Sequence, residues 1–251
     1  MDFSLFNKFF DQVYVLTISK ATDRHEKIKQ ELRGLNFKFL YGQDKNDLNI
    51  PQLIKENVYD EKKAIKNERR SKTLPPGMLA CSIGHKMIYE DAIQNNYQKI
   101  LVFEDDVVIN KSNWRYLSEI FADLPSDWEL LYFGYTKNEP ETRNILKQKF
   151  YHLLKFFNGI KYTHTIIRNL YPKKISDRIY TSGFHDCAHA YGLTLEGAKK
   201  LVAYQTPISF FPDNLLSFAA TTELVKAYIT HPKLIDQESI TGASTYSYIH
   251  S

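Results

Sequence analysis

The stretch Lys99 to Asn110, KILVFEDDVVIN, sets four apolar residues directly before Glu104, Asp105 and Asp106 and three more directly after them. An unbroken β-branched and aromatic run is the pattern of a strand buried on both faces, and such strands belong to parallel sheets covered by helices. In open sheets of that kind, ligands bind beyond the carboxyl ends of the strands, which is where these three carboxylates fall. Neighbouring like charges are costly to bury unless a partner or a cation neutralises them, and a set of oxygen ligands favours Mg2+ or Mn2+ over zinc. In an extended chain residues 104 and 106 point to one side and 105 to the other, so Glu104 and Asp106 are the pair that can share one metal and, through it, a diphosphate. The plainer alternative is three solvated carboxylates on a loop between two strands.

Working outward, strands and helices alternate. Val13 to Ile18 reads as a strand, Ser19 to Gly34 as a helix, and Phe37 to Tyr41 as a second short strand. The charged stretch 43–73 reads as surface helices and loop. Pro75, Pro76 and Gly77 precede a helix over about 78–95, whose apolar positions Leu79, Ile83, Met87, Ile88 and Ile93 roughly follow the helical period. Trp114 to Phe121 reads as a helix, Trp128 to Phe133 and Ala188 to Leu193 as strands, Leu195 to Tyr204 as a helix capped by Thr194, and Asp213 to Thr222 as a short helix before the strand Leu224 to Ile229. This alternation predicts an α/β fold with a mainly parallel, twisted sheet flanked by helices, as one domain over residues 1–251.

Composition sets outer bounds. The chain has 251 residues, of which 43% are hydrophobic and 25% charged, as in ordinary globular proteins. A net charge of +4 is too small to argue for nucleic acid, and none is expected as a partner. Two cysteines, Cys81 and Cys187, form no disulfide framework and suit a reducing compartment. MDFSLFNKFFDQ has neither the basic nor the continuous apolar region of a secretory leader, and no apolar run is long enough to span a bilayer, so the expected location is cytoplasmic.

Charge is uneven, however. Residues 137–178 hold ten Lys or Arg against three acidic residues. Within them Leu146, Phe150, Leu153, Leu154 and Phe157 recur at helical spacing, with Lys147, Lys149 and Lys155 largely elsewhere. This basic, partly helical insertion has two readings: a helix packed on the core with a solvated lysine face, or, through residues 144–178, a basic amphipathic helix that lies on an anionic inner membrane face or holds a charged acceptor.

From Gly77 the chain reads GMLACSIGHKMIYEDAIQNNYQKILVFEDDVVI, which resembles the central signature of glycosyltransferase family 25, with Gly77, Cys81, His85 and Glu104 to Asp106 in place and Gly84 where the family usually has serine. VYVLTISKATDRHEKIKQEL resembles the family's first strand and its arginine-bearing helix, with Arg24 at the matching position. AHAYGLTLEGAKKLVAYQTPISFFPDNLL resembles its later strand, helix and proline-aspartate motif, here Pro212 and Asp213. The resemblance covers roughly residues 12–110 and 187–240 and leaves the basic insertion without a family pattern.

The resemblance implies a GT-A-like nucleotide-sugar-binding fold, a UDP-sugar donor, Mn2+ or Mg2+, and transfer of a sugar, foremost galactose, to a glycan or glycolipid acceptor such as lipopolysaccharide. It places Asp106 on the metal, Glu104 and Asp105 on the metal or ribose, and Thr17, Arg24 and His85 in the donor site. His231, after a predicted strand, is the candidate second metal ligand. An inverting transferase needs one base to take the acceptor's proton; Asp213 is that candidate and Asp186 the reserve. His185 and His189 lie in a predicted strand, which argues against a zinc pair there. Cys81 and His85 lie one helical turn apart, where His85 either packs against the nucleotide pocket or bonds to a substrate. Two other functions compete: an Mg2+-dependent phosphotransfer or phosphohydrolase domain, for which the chain lacks a glycine-rich phosphate loop, and a non-catalytic sugar-nucleotide-binding relative.

Overall fold

The computed structural model describes residues 1–67, 72–186 and 188–238. In chain order it contains α1 (Ser4–Phe9), β1 (Gln12–Thr17), α2 (Thr22–Glu31), β2 (Lys38–Tyr41), α3 (Ile50–Lys55), α4 (Glu61–Asn67), α5 (Pro76–Gln94), β3 (Lys99–Glu104) and β4 (Val107–Ile109). There follow α6 (Leu117–Asp123), β5 (Leu130–Tyr132), α7 (Ile145–Phe156), α8 (His164–Arg168), β6 (Lys173–Lys174), β7 (Ile179–Thr181), β8 (Ala190–Thr194), α9 (Leu195–Tyr204), α10 (Pro212–Thr221), β9 (Ala227–Thr230) and β10 (Ile235–Gln237).

The main sheet runs β2-β1-β3-β8-β5-β9-β7-β6. β1 pairs parallel with β2 and β3, and β5 parallel with β9, whereas β8 opposes both its neighbours and β7 opposes β9 and β6. Six of these eight strands therefore share one direction, as expected for a mainly parallel α/β sheet.

Alternation along the strands explains the layers. Val13, Val15, Leu101 and Phe103 enter one core with Ile28 of α2 and Ile120 of α6, while Tyr14, Leu16, Ile100 and Val102 enter the other with Ile88 of α5, Leu201 of α9 and Leu216 of α10. Both faces of β3 are covered, which is why its sequence is continuously apolar. Full burial of a side chain such as Phe103 contributes about 2–3 kcal/mol.

Three departures from the sequence reading have packing causes. Residues 4–9, to which the sequence reading assigns no element, form a helix, because Phe6 is fully buried among Phe10, Trp114, Phe121 and Phe133. The last strand of the main sheet starts at Ala227 instead of Leu224, since Val225 turns into the core before pairing begins. Val107 to Ile109 leaves the main sheet and pairs antiparallel with β10, so the acidic triplet stands at a branch between two sheets.

The basic insertion begins beyond the end of β5 and forms α7 and α8. Its packing on α10 comes from α8, Tyr151 and Tyr162, not from Leu146, Phe150, Leu153 and Phe157, and the reading of α7 as a core-packed helix with a lysine face outward is overturned. Among the described residues no helix is long and apolar enough to cross a membrane. Cys81 is a free thiol; Cys187 lies outside the described residues.

Candidate functional site

β1 and β3 are adjacent and parallel, with Leu16 opposite Glu104, so Thr17 and the acidic triplet come together at one sheet edge. Asp105 and Asp106 form the turn after β3. Arg24, in the first turn of α2, reaches across that turn: its Nη1 is 2.6 Å from Asp105 Oδ1 and 3.7 Å from Asp106 Oδ2. Thr17 Oγ1 donates to the other Asp105 oxygen at 2.5 Å. Asp105 and Arg24 are each no more than 9% exposed, so each neutralises a charge that would be costly to bury unpaired. Asp105 is thereby committed to holding the turn.

Glu104 and Asp106 face the other way, as the alternation predicts. Gln237 at the end of β10 bridges them, its Nε2 lying 3.2 Å from Glu104 Oε2 and 3.0 and 3.1 Å from the two Asp106 oxygens. β10 can approach so closely because residue 134 has no side chain: a Cβ there would fall 2.4 Å from the Ile235 carbonyl and 2.1 Å from His189 Nε2. Burial raises the pKa of both carboxyls, and repulsion within the triplet raises it further. Besides the Gln237 amide they have the Arg24 guanidinium at 3.7 Å from Asp106, whose charge is mainly taken up by Asp105, so the pair stays under-neutralised. This donor set fits a hard divalent cation.

α5 forms the opposing wall. Cys81 and His85 lie one turn apart on it; Cys81 Sγ, a His85 ring nitrogen and a Glu104 oxygen are all within 4.8 Å of one another. His85 Nδ1 is 2.7 Å from the Tyr191 hydroxyl, which is 2.7 Å from that of Tyr89. Among the described residues His85 Nε2 has no hydrogen-bond partner, and it stands 3.5 Å from Glu104 Oε1. Burial pushes the His85 pKa down to about 4, so the ring is neutral and its free nitrogen faces the acidic edge. The Cys81 thiol is raised by burial and by Glu104, Asp213, Asp105 and Asp106, which keeps it protonated. Between α5 and the strand ends lies a cleft with about 720 Å3 of space, including its open mouth, bordered by Thr17, Arg24, Gly42, Cys81 and the triplet.

Gly84 has a local cause. A Cβ at this position would sit 2.7 Å from Leu16 Cδ1, so Leu16 fills the space that a serine side chain would need.

Asp213 is the second residue of α10, behind Phe211 and Pro212, and is not the cap. The chain entering α10 is tied to α5 by Ser82 Oγ, which donates to the Phe210 carbonyl at 2.9 Å. Asp213 lies close enough to Cys81, His85 and Tyr132 for its charge to be felt there. Asp186 also acts on Tyr132, but its carboxylate is ion-paired with Lys137 at 3.0 Å and its backbone is hydrogen-bonded to that of Thr136 in an antiparallel bridge.

His231 is not brought to the carboxylates. It packs on Tyr180, with Nε2 3.4 Å from Glu141, because β9 is separated from β3 by β5 and β8. Gln237 occupies the place expected of it. His185 accepts from the Gly183 amide through Nε2 and donates to the Lys137 carbonyl, so it holds backbone. Sequence reasoning missed Gln237 and the Tyr89–Tyr191 pair; Gln237 lies more than a hundred residues from the triplet in an unremarkable IDQ run, with no local signal.

Residues 10–216 match the description Glycosyltransferase family 25 (LPS biosynthesis protein), and the chain belongs to that family. Procollagen galactosyltransferase 2 of Mus musculus is 26% identical over 140 residues, 53% of this chain and 22% of its own length. Inactive glycosyltransferase 25 family member 3 of Homo sapiens is 25% identical over 205 residues, 78% of this chain and 29% of its own length. The chain thus spans less than a third of either relative. Mouse xyloside xylosyltransferase 1 in its apo form aligns over 86% of this chain and 64% of its own, with 11% identity and a TM-score of 0.36.

Proposed function

For a member of glycosyltransferase family 25 with this site, we propose an inverting, divalent-cation-dependent transfer of a sugar, galactose foremost, from a UDP-sugar to a glycan or glycolipid hydroxyl. The observation that carries this reading is the convergence of Glu104 and Asp106 on one face of the cleft, where Gln237 bridges them. Glu104 and Asp106 hold Mn2+ or Mg2+, which supplies charge neutralisation for a departing diphosphate. Arg24 and Thr17 keep Asp105, and with it the whole turn, in one geometry.

Asp213 acts as the base. It accepts the proton of the acceptor hydroxyl as that oxygen bonds to the anomeric carbon; the bond from that carbon to the diphosphate oxygen breaks, and UDP departs with its electron pair. Neutral His85, fixed by Tyr191, offers its Nε2 as the hydrogen-bonding group for the donor or acceptor sugar. The procollagen galactosyltransferase relative supports galactose as the sugar, whereas the inactive human relative favours a second reading, in which the cleft binds sugar nucleotide without turnover.

Two measurements separate these readings. UDP with Mn2+ is expected to stabilise the chain, by about 3 kcal/mol at a hundred times the dissociation constant, and GDP or ADP is not. UDP-galactose with Mn2+ should then be turned over by transfer or slow hydrolysis. Stabilisation without turnover of any UDP-sugar selects the binding-only reading; no stabilisation by any nucleotide with metal sinks both.

A further inference from the structure

α7 is mounted backwards for a helix of a water-soluble domain. Its inward side is polar and aromatic: Gln148 donates to the Ile167 carbonyl at 2.6 Å, His152 Nδ1 lies 2.9 Å from His164 Nδ1, and the Tyr151 ring is 6.2 Å from that of Tyr162. Its outward side carries Leu146, Phe150, Leu153 and Phe157, extended by Ile145 and Phe156, all between 54% and 79% exposed. A surface helix ordinarily turns its apolar stripe to the core. An apolar surface of this kind marks an interaction site.

The charge around it indicates what covers it. From residue 142 to residue 176 there is no Asp or Glu, while there are eight Lys or Arg. Lys147 and Lys149 are exposed beside the apolar side chains, where their stems can lie along an apolar surface and their ammonium groups reach anionic headgroups. A helix of 12 residues, about 18 Å long, is too short to cross a bilayer but long enough to lie in its interface. We infer that α7 is a membrane-seating helix, which inserts Leu146, Phe150, Leu153, Phe156 and Phe157 between the headgroups of an anionic lipid surface.

The topology gives this a consequence. β5 and β3 run in the same direction, so the insertion leaves the sheet at the edge where the acidic triplet stands. Seating α7 on lipid holds that edge of the sheet close to the membrane, which suits an acceptor carried on a lipid. This last step rests on the proposed glycosyl transfer; binding to lipid does not.

The test uses the whole chain and phosphatidylcholine vesicles with and without phosphatidylglycerol, read by co-sedimentation without any nucleotide sugar. The chain is expected to bind the anionic vesicles roughly tenfold or more tightly than the neutral ones, and less so as salt rises. The combined variant Leu146→Ser, Phe150→Ser, Leu153→Ser and Phe157→Ser should weaken this binding roughly tenfold or more, with circular dichroism and melting temperature unchanged. Lys147→Glu with Lys149→Glu should weaken binding to anionic vesicles only. Equal binding by wild type and the serine variant overturns the inference. So does a lipid-free wild-type dimer that the serine variant disperses, with no vesicle binding, since a second copy would then cover the face.

Discussion

The end of β3 and the outer side of α7 break the same rule in opposite senses. At β3, charge is placed where apolar residues belong: Glu104, Asp105 and Asp106 follow directly on the buried run Ile100 to Phe103. At α7, apolar residues are placed where charge belongs: Phe150 and Leu153 face solvent while Gln148 and His152 face the protein. The first irregularity is held by an internal network, Arg24 and Thr17 on Asp105, and its remaining charge calls for a small cation. The second has no such network. Removing its exposed side chains should cost binding and leave folding intact.

The largest effects fall at the charged end. Asp106→Asn should abolish Mn2+-dependent stabilisation by UDP and lower transfer about a thousandfold or more, because a cation contributes several kcal/mol to the departure of a diphosphate. Asp213→Asn should lower transfer by about a hundred- to a thousandfold while leaving UDP binding at its wild-type value. Normal turnover by Asp213→Asn would move the base elsewhere, with Asp186 the next residue to substitute.

Next comes the direct contrast in stability. Arg24→Ala leaves Asp105 buried without its cation and should destabilise the chain by about 3 kcal/mol in urea, whereas the four-serine change on α7 should leave the midpoint unchanged within error. If α7 proved equally sensitive, its outer side would be part of the core after all and the contrast would collapse.

Acidity gives a smaller effect of definite sign. Burial, with repulsion inside the triplet, raises the pKa values of Glu104 and Asp106 above the ordinary carboxylate range, so protons compete with the cation near neutrality. Apparent Mn2+ affinity should fall as pH falls below neutrality, by at most about tenfold per pH unit for each proton displaced, and recover on raising the pH. A flat calorimetric titration from neutrality downward would remove these two carboxyls from the cation site. Smallest is Gly84→Ser, which gains helix propensity but crowds Leu16; a net loss of about 1 kcal/mol is expected, relieved in part when Leu16→Ala is added.

How far the site was legible varies with the kind of signal. Glu104, Asp105 and Asp106 were visible because three charges interrupt an apolar strand, and their division of labour followed from the period of two along an extended chain. Asp213 was visible through its proline-aspartate motif at the start of an apolar helix, which the structure begins one residue earlier, at Pro212. His231 was misjudged because being just after a strand says nothing of which strand lies beside which: β9 joins the sheet on the far side of β8 and β5. Gln237 was invisible, since only the close passage of β10 over Gly134 brings it to the triplet.

The sequence by itself determined the α/β layering, the strand that carries the acidic end, the helix that bears Cys81 and His85, and the amphipathic period of α7. These are local matters, governed by side-chain periodicity and by the cost of burying charge. Tertiary structure alone decided that Gln237 bridges Glu104 and Asp106, that Leu16 takes the room beside Gly84, and that α7 turns its apolar stripe outward. Periodicity states which residues share a face; which way that face points is set by what α8 and α10 leave for it to pack against.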